Sequence, residues 1–182
     1  MAFWPSMSFL PQVDGYFCAT CKQFHSGLPI SYAADFPDSY VALKEEERER
    51  RTLIGSDQCI IDNEMYFIRG LAELRIIGFQ YPFLGGLWAS IWKEAFDEIS
   101  EYCQTPGRGK LIGPYKGRLS NGLSEYSPTT LNLKCTIRIE PVGSRPLFFI
   151  DEHDHPLAVE QRNGISLERV QQIASALMHK ND

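Results

Sequence analysis

An alternating run at residues 131–140 constrains the fold more than any other feature of this sequence. Apolar side chains fall on every second residue of the run, and polar side chains lie between them. Because successive side chains of a strand point to opposite faces, the run predicts a strand with one buried face and one solvated face. Cys135 falls in the apolar row, so we expect it to be a core residue.

Other short runs rich in β-branched and aromatic residues predict further strands. An Asp62-Asn63-Glu64 turn separates two of them, which favours an antiparallel meander. Trp88 and Trp92 lie within and at the end of one run, and we expect them to be core or edge aromatics. The runs cover residues 59–61, 65–69, 71–77, 86–92 and 146–150.

The sequence predicts three helices and one helical turn. Residues 38–53 follow a capping Asp38 or Ser39, mix both signs of charge and stop at Gly55, which predicts a solvated helix. A helical turn is expected near residues 157–161, and a last helix is capped by Ser166. Apolar stripes predict that two of the helices are amphipathic. The stripes are Trp92, Phe96, Ile99 and Cys103 on a helix from about Lys93, and Val170, Ile173, Ala174 and Leu177 on the C-terminal helix.

These patterns predict the fold class α+β. We expect a single domain over residues 14–180, with a mainly antiparallel sheet and with an amphipathic helix and the C-terminal helix packed on it. Residues 1–13 contain two prolines and predict an irregular arm. A chain of 182 residues with 43% hydrophobic content is long enough to bury its own core without disulfides.

Charge and cysteine content indicate a cytoplasmic protein. A net charge of −5 argues against binding to nucleic acid, which needs basic groups to displace phosphate counterions. The five cysteines are odd in number and irregularly spaced, unlike a secreted disulfide framework. Glycines and Pro82 break the longest uncharged apolar stretch, residues 76–92, so no membrane-spanning segment is expected.

Cys18 and Cys21 form a C-x-x-C pair on a predicted strand and tight turn, with His25 four residues further on. Thiolates and imidazoles are the ligands that zinc prefers, and the pair predicts half of a zinc site. His155, His153 and Cys59 are the candidates for a distant fourth ligand. Plain reduced cysteines and a redox pair are the alternatives, although the thioredoxin-type redox motif requires a following helix that is not predicted here.

A second polar cluster, residues 151–155, contains Asp151, Asp154, His153 and His155. Such a cluster can bind metal, perform acid–base chemistry or simply cap the helix that follows it. No serine, cysteine or second acid is visibly paired with His155. Arg145, just before the last predicted strand, is expected to form a charged pocket with this acidic loop.

Several motifs occur in a linear order that resembles the bacterial family known as domain of unknown function 2199. The resemblance covers roughly residues 15–170 and implies no particular activity. It favours His25 and His155 over His153, and it implies a glycine after the second cysteine where this chain has Lys22. The motifs are Phe17-Cys18-Ala19-Thr20-Cys21 with His25 and Leu28-Pro29, Asp57-Gln58-Cys59-Ile60-Ile61-Asp62, Tyr66-Phe67-Ile68-Arg69-Gly70, Gly86-Leu87-Trp88-Ala89-Ser90, Arg145-Pro146, and Asp154-His155-Pro156-Leu157-Ala158 with Gln161 and Gly164-Ile165.

The first functional hypothesis is a binding or interaction module with a structural zinc site formed by Cys18, Cys21, His25 and His155. An unidentified protein is the expected partner, and neither nucleic acid nor membrane is expected. One alternative is a small metal-dependent or acid–base enzyme that uses His155 and Asp154, although no catalytic constellation is identifiable. Another is an immunity-like inhibitor whose acidic surface neutralises a basic protein.

Overall fold

A computed structural model describes residues 13–178, in which ten strands and six helices occur. The predicted arm, residues 1–13, therefore lies outside the described residues except for Val13. The strands are β1 (Gly15–Phe17), β2 (Phe24–Ser26), β3 (Ser31–Ala33), β4 (Thr52–Ile54), β5 (Gln58–Ile61), β6 (Met65–Leu74), β7 (Phe83–Ile91), β8 (Tyr115–Leu119), β9 (Lys134–Arg138) and β10 (Leu147–Ile150). The helices are α1 (Asp38–Val41), α2 (Glu45–Arg51), α3 (Lys93–Glu101), α4 (Arg108–Leu111), α5 (Pro156–Asn163) and α6 (Leu167–Met178).

Five strands form a meander that closes on itself. β6 pairs antiparallel with β7 along its whole length, and β8, β9 and β10 follow in antiparallel order. β10 then returns to β6, where Leu147 is the register partner of Leu71. An up-and-down meander with an odd number of strands has its first and last strands in the same direction, so this closing pair is parallel.

The remaining strands of the large sheet extend the two long strands. β3 pairs parallel with the first half of β7, whereas β5 and then β4 continue the sheet beyond the first half of β6. Asp62 and Asn63 join β5 to β6 with φ of 56° and 54°. Short polar residues tolerate this left-handed conformation, so the predicted turn is explained by its residue types.

Both faces of the central strands are buried. Ile68 belongs to the main core, whereas its neighbour Phe67 packs in a second cluster with Cys59 and Trp88. Three helices also contribute to the main core: Phe96 and Ile99 from α3, Leu157 and Ala158 from α5, and Val170, Ile173 and Ala174 from α6. The α+β class, with a mainly antiparallel sheet and a packed C-terminal helix, is confirmed.

The prediction of one helix over residues 38–53 is wrong. The chain forms two short helices instead, and the guanidinium of Arg48 donates to the carbonyl oxygens of Tyr40 and Val41 at the end of the first. Thr52 and Ile54 are β-branched, and residues 52–54 pair with β5 as an edge strand. The antiparallel partner therefore overrides the helical charge pattern.

Two side chains that the sequence assigns to a core stripe are exposed. α3 ends at Glu101, so Cys103 lies beyond the helix, and the helical period no longer directs its side chain inward. Trp92 lies in extended backbone just before the helix and is 79% exposed. Cys135 and Trp88, by contrast, are fully buried as predicted.

For the alternating run at residues 131–140, the buried side chains are the predicted ones, but the paired strand is shorter than predicted. The strand covers Lys134–Arg138, and Leu133, Cys135, Ile137 and Ile139 are buried. Leu131 is 38% exposed and precedes Asn132, whose φ of 69° breaks the extended backbone. Within residues 13–178, no helix has the length and apolar character needed to cross a lipid bilayer.

Candidate metal centre

β1 and β2 form a small antiparallel hairpin that carries the C-x-x-C pair. The backbone N–H of Cys18 donates to Gln23 O at 2.9 Å, and that of Lys22 donates to Cys18 O at 3.1 Å. Lys22 closes the turn with a φ of 60°, a conformation that L-residues other than Asn and Asp seldom adopt. These bonds bring the side chains of Cys18 and Cys21 to the same end of the hairpin.

The ligand atoms of Cys18, Cys21 and His25 all lie within 4.8 Å of one another. Cys21 Sγ is 3.1 Å from His25 Nε2. Cys18 is fully buried, whereas Cys21 and His25 are partly exposed. Across the hairpin, Tyr16 is the register partner of His25, and the two rings stack with centroids 5.4 Å apart. The three residues thus have donor types and spacing that could hold a metal ion.

The surroundings of Cys18 favour the thiolate. Burial alone would raise the pKa of Cys18, but hydrogen bonds from the backbone N–H groups of Cys21 and Thr20, the hydroxyl of Ser175 and the Cys21 thiol lower it below the ordinary value. The pKa of Tyr16 is raised, first by burial and then by the negative charge that Cys18 and Cys21 can carry. Hydrogen-bond donors therefore surround the sulfur of Cys18 and stabilise its thiolate form.

Ser175 is a member of this environment that the sequence analysis missed. It lies on α6, is 5% exposed, and its hydroxyl acts to lower the pKa of both Cys18 and Tyr16. The only signal for it was a hydroxyl beside the apolar stripe of the helix. A buried polar side chain needs a partner, but the pattern does not identify one that lies far away in the chain.

The structure does not bring His155 to the cysteine group. His155 precedes α5, where its Nδ1 accepts a hydrogen bond from the Leu157 N–H at 3.1 Å and its Nε2 lies 2.9 Å from Pro128 O. Both ring nitrogens are thus engaged with backbone groups, and His155 is 6% exposed. It caps the helix, and it is not part of the group formed by Cys18, Cys21 and His25, so these contacts do not support His155 as the distant ligand.

The other distant candidates also lie elsewhere. Cys59 is fully buried in the second core cluster with Phe67 and Trp88, where burial raises its pKa to about 11. His153 is exposed, and its carbonyl oxygen accepts from Arg162 at 2.7 Å. Among the described residues, the group of potential metal ligands consists of Cys18, Cys21 and His25.

The loop at residues 151–155 ties strands together. The Asp151 carboxylate accepts from Thr136 Oγ1 at 2.7 Å and from Lys116 Nζ at 3.0 Å, which links the end of β10 to β9 and β8. Asp154 is exposed on the same loop. Arg145 does not pair with this loop, because its Nε donates to Asp57 Oδ1 at 2.6 Å.

The structure therefore defines an α+β protein whose N-terminal hairpin holds a cluster of two cysteines and a histidine suited to a metal ion. The family whose model matches residues 17–165 is described as "Uncharacterized protein conserved in bacteria (DUF2199)". The chain belongs to this family. Neither the curated proteins nor the solved structures include a significant match to it.

Proposed function

We propose that the protein is a binding module with a structural zinc site held by Cys18, Cys21 and His25. The observation that carries the proposal is the convergence of two Sγ atoms and one imidazole nitrogen within 4.8 Å. Zinc is bound by such a set in tetrahedral sites, and a fourth ligand would come from water or from a partner. When bound, the ion would supply a cross-link between the two strands of the hairpin.

A structural role fits the size and position of the hairpin. Its strands have three residues each, and a hairpin this short is at best marginally stable without further support. Cys18 and Tyr16 nevertheless belong to the main core. A zinc ion would join the exposed side of the hairpin to this buried side, so that folding and metal binding support each other.

The surface of the hairpin supports the binding half of the proposal. Phe17 and Phe24 are register partners on β1 and β2 and are 65% and 64% exposed. Aromatic side chains are enriched where proteins contact one another, and a hairpin fixed by zinc would present this pair rigidly. The partner that we propose is accordingly a protein.

Metal analysis of protein purified without added metal tests the proposal. We expect equimolar zinc in the wild type and its loss in Cys18→Ser, Cys21→Ser and His25→Ala, because each change removes one ligand. Cys103→Ser is the matched control, since this exposed cysteine lies outside the cluster. Zinc-free wild-type protein that also fails to take up added zinc would contradict the proposal.

The same measurement separates the local site from the one suggested by the resemblance. We expect His155→Ala and Cys59→Ser to retain zinc, because neither side chain lies in the cluster. Loss of zinc in a folded His155→Ala variant would restore His155 as a ligand. Both ring nitrogens of His155 are engaged with backbone groups, which argues against catalysis by His155 and Asp154.

A further inference from the structure

A cleft of about 820 Å³ lies apart from the cysteine hairpin and shares no residue with the metal cluster. Its walls come from the turn between β4 and β5, the side chains of β6, the end of α3 and the loop that precedes β10. The volume falls in the range of small-molecule sites. Three charged side chains, Asp57, Arg69 and Arg145, meet in it.

Arg69 is a largely buried cation on β6. Its side chain is 11% exposed, its Nη2 donates to Ala34 O at 2.8 Å, and its guanidinium lies 5.8 Å from the centroid of the Trp88 ring. Its Nε is the one buried side-chain nitrogen or oxygen of residues 13–178 that has no hydrogen-bond partner. A buried donor without a partner is costly, so this guanidinium is not fully satisfied by the protein.

Arg145 faces the same cleft with unused donors. Its Nε bonds to Asp57 Oδ1 at 2.6 Å, while its Nη1 and Nη2 make no hydrogen bond within the described part of the chain. Burial would raise the pKa of Asp57, but hydrogen bonds from Arg145 and Ser56 and the positive charge of both arginines lower it. Asp57 is therefore ionised and neutralises only one of the two guanidinium groups.

The other charged residues of the cleft do not neutralise the positive charge of the second guanidinium group. Arg108 donates to the backbone carbonyls of Cys103, Glu140 and Ser144, and the Glu140 carboxylate bonds to Arg138 at 2.7 Å. Glu73 lies four residues along β6 from Arg69, about 13 Å away in an extended strand. Asp35 approaches Arg69 Nη2 only to 4.0 Å, is 74% exposed and does not line the cleft.

We propose that this cleft binds a small organic molecule through an oxyanion head group, a carboxylate or a phosphate, held by Arg69 and Arg145. Guanidinium groups bind such oxyanions with two parallel N–H bonds, and two of them around one position leave an excess positive charge for the ligand to neutralise. Ser56 and Ser144 also line the cleft, and Leu71 and Leu147 provide apolar surface for the body of the molecule.

An NMR titration at constant ionic strength tests the site, with inorganic phosphate in one arm and acetate in the other. We expect saturable shifts of the amide signals of Ser56, Arg69, Ser144 and Arg145 in at least one arm, which identifies the head group. Arg145→Gln should weaken this binding about tenfold or more, because a charge-assisted hydrogen-bond donor is lost. Arg50→Gln, an equal charge change on exposed α2, should leave it unchanged.

Arg145→Lys separates oxyanion recognition from simple charge attraction. We expect weakened binding, because an ammonium retains the charge but not the planar fork of donors. The amide spectrum of each variant reports whether it is folded, so a loss of binding is not confused with unfolding. No saturable shift in either arm, or equal affinities in the wild type, Arg145→Gln and Arg50→Gln, would overturn the proposal. Zinc content does not enter this test, so the outcome is independent of the metal site.

Discussion

Lys22 shows how a single residue type affects the candidate metal centre. Its φ of 60° closes the turn between Cys21 and the second strand, yet its Cβ makes this conformation unfavourable. The resemblance implies glycine at this position, and glycine adopts a positive φ without that steric cost. The hairpin of this chain therefore stores local strain immediately beside Cys21, a candidate ligand.

Replacing Lys22 by glycine should relieve this strain. We expect Lys22→Gly to increase the free energy of unfolding by up to about 1 kcal/mol, the steric cost of the left-handed conformation less the entropy that glycine loses on folding. Urea denaturation measures the change. Lys22→Ala is the matched control: it removes the same charge but keeps a Cβ, so it should give no gain. Equal effects of both variants would show that charge, and not φ, decides the stability.

At the scale of elements, the polar loop after β10 links neighbouring strands through side-chain hydrogen bonds. Asp151 receives hydrogen bonds from Thr136 on β9 and Lys116 on β8, which are themselves register partners. Burial would raise the pKa of Asp151, but these bonds and the charge of Lys116 lower it. Asp151 belongs to the loop that the sequence suggested for acid–base chemistry, but its contacts are those of a structural carboxylate.

The depressed pKa of Asp151 predicts a pH-dependent contribution to stability. Because the pKa is lower in the folded state, the contribution is complete above the unfolded value near pH 4 and is lost as the pH falls through the folded value. We expect Asp151→Asn to cost about 1 kcal/mol of unfolding free energy at neutral pH and progressively less in acid. Denaturation curves at several pH values check this, with exposed Asp154→Asn as the control. A difference that does not depend on pH would contradict the ionic explanation.

At the scale of the whole molecule, local patterns could be predicted and distant contacts could not. The facing of Cys135, the cap at Ser166 and the meeting of Cys18, Cys21 and His25 follow from spacings of a few residues. The contact of Ser175 with Cys18 and that of Arg145 with Asp57 join residues far apart in the chain, and no periodicity encodes them. The pairing of β10 with β6, which closes the meander, is also a distant contact that the sequence does not predict. Each of these strands would have the same residue pattern in an open sheet.

That closure predicts a strict requirement for glycine at residue 70. A Cβ built on Gly70 would overlap the ring of Phe148 and lie 2.8 Å from Pro146 O, where the backbone of the last strand reaches β6. We expect Gly70→Ala to reduce the free energy of unfolding by about 1–3 kcal/mol, since overpacking forces side chains and backbone to shift. Thermal and urea denaturation measure the loss.

Gly85 provides the matched control within the same sheet. A Cβ there would meet Ala72 O at 3.5 Å, an ordinary contact, so we expect Gly85→Ala to change the unfolding free energy by less than about 0.5 kcal/mol. The two substitutions add the same methyl group to neighbouring long strands and differ in whether β10 lies against the site. Equal unfolding free energies of the two variants would mean that the pairing of β10 with β6 accommodates the added methyl group. A selective loss in Gly70→Ala would show that the contact of β10 with β6 is tightly packed and that the chain is stabilised as a closed meander.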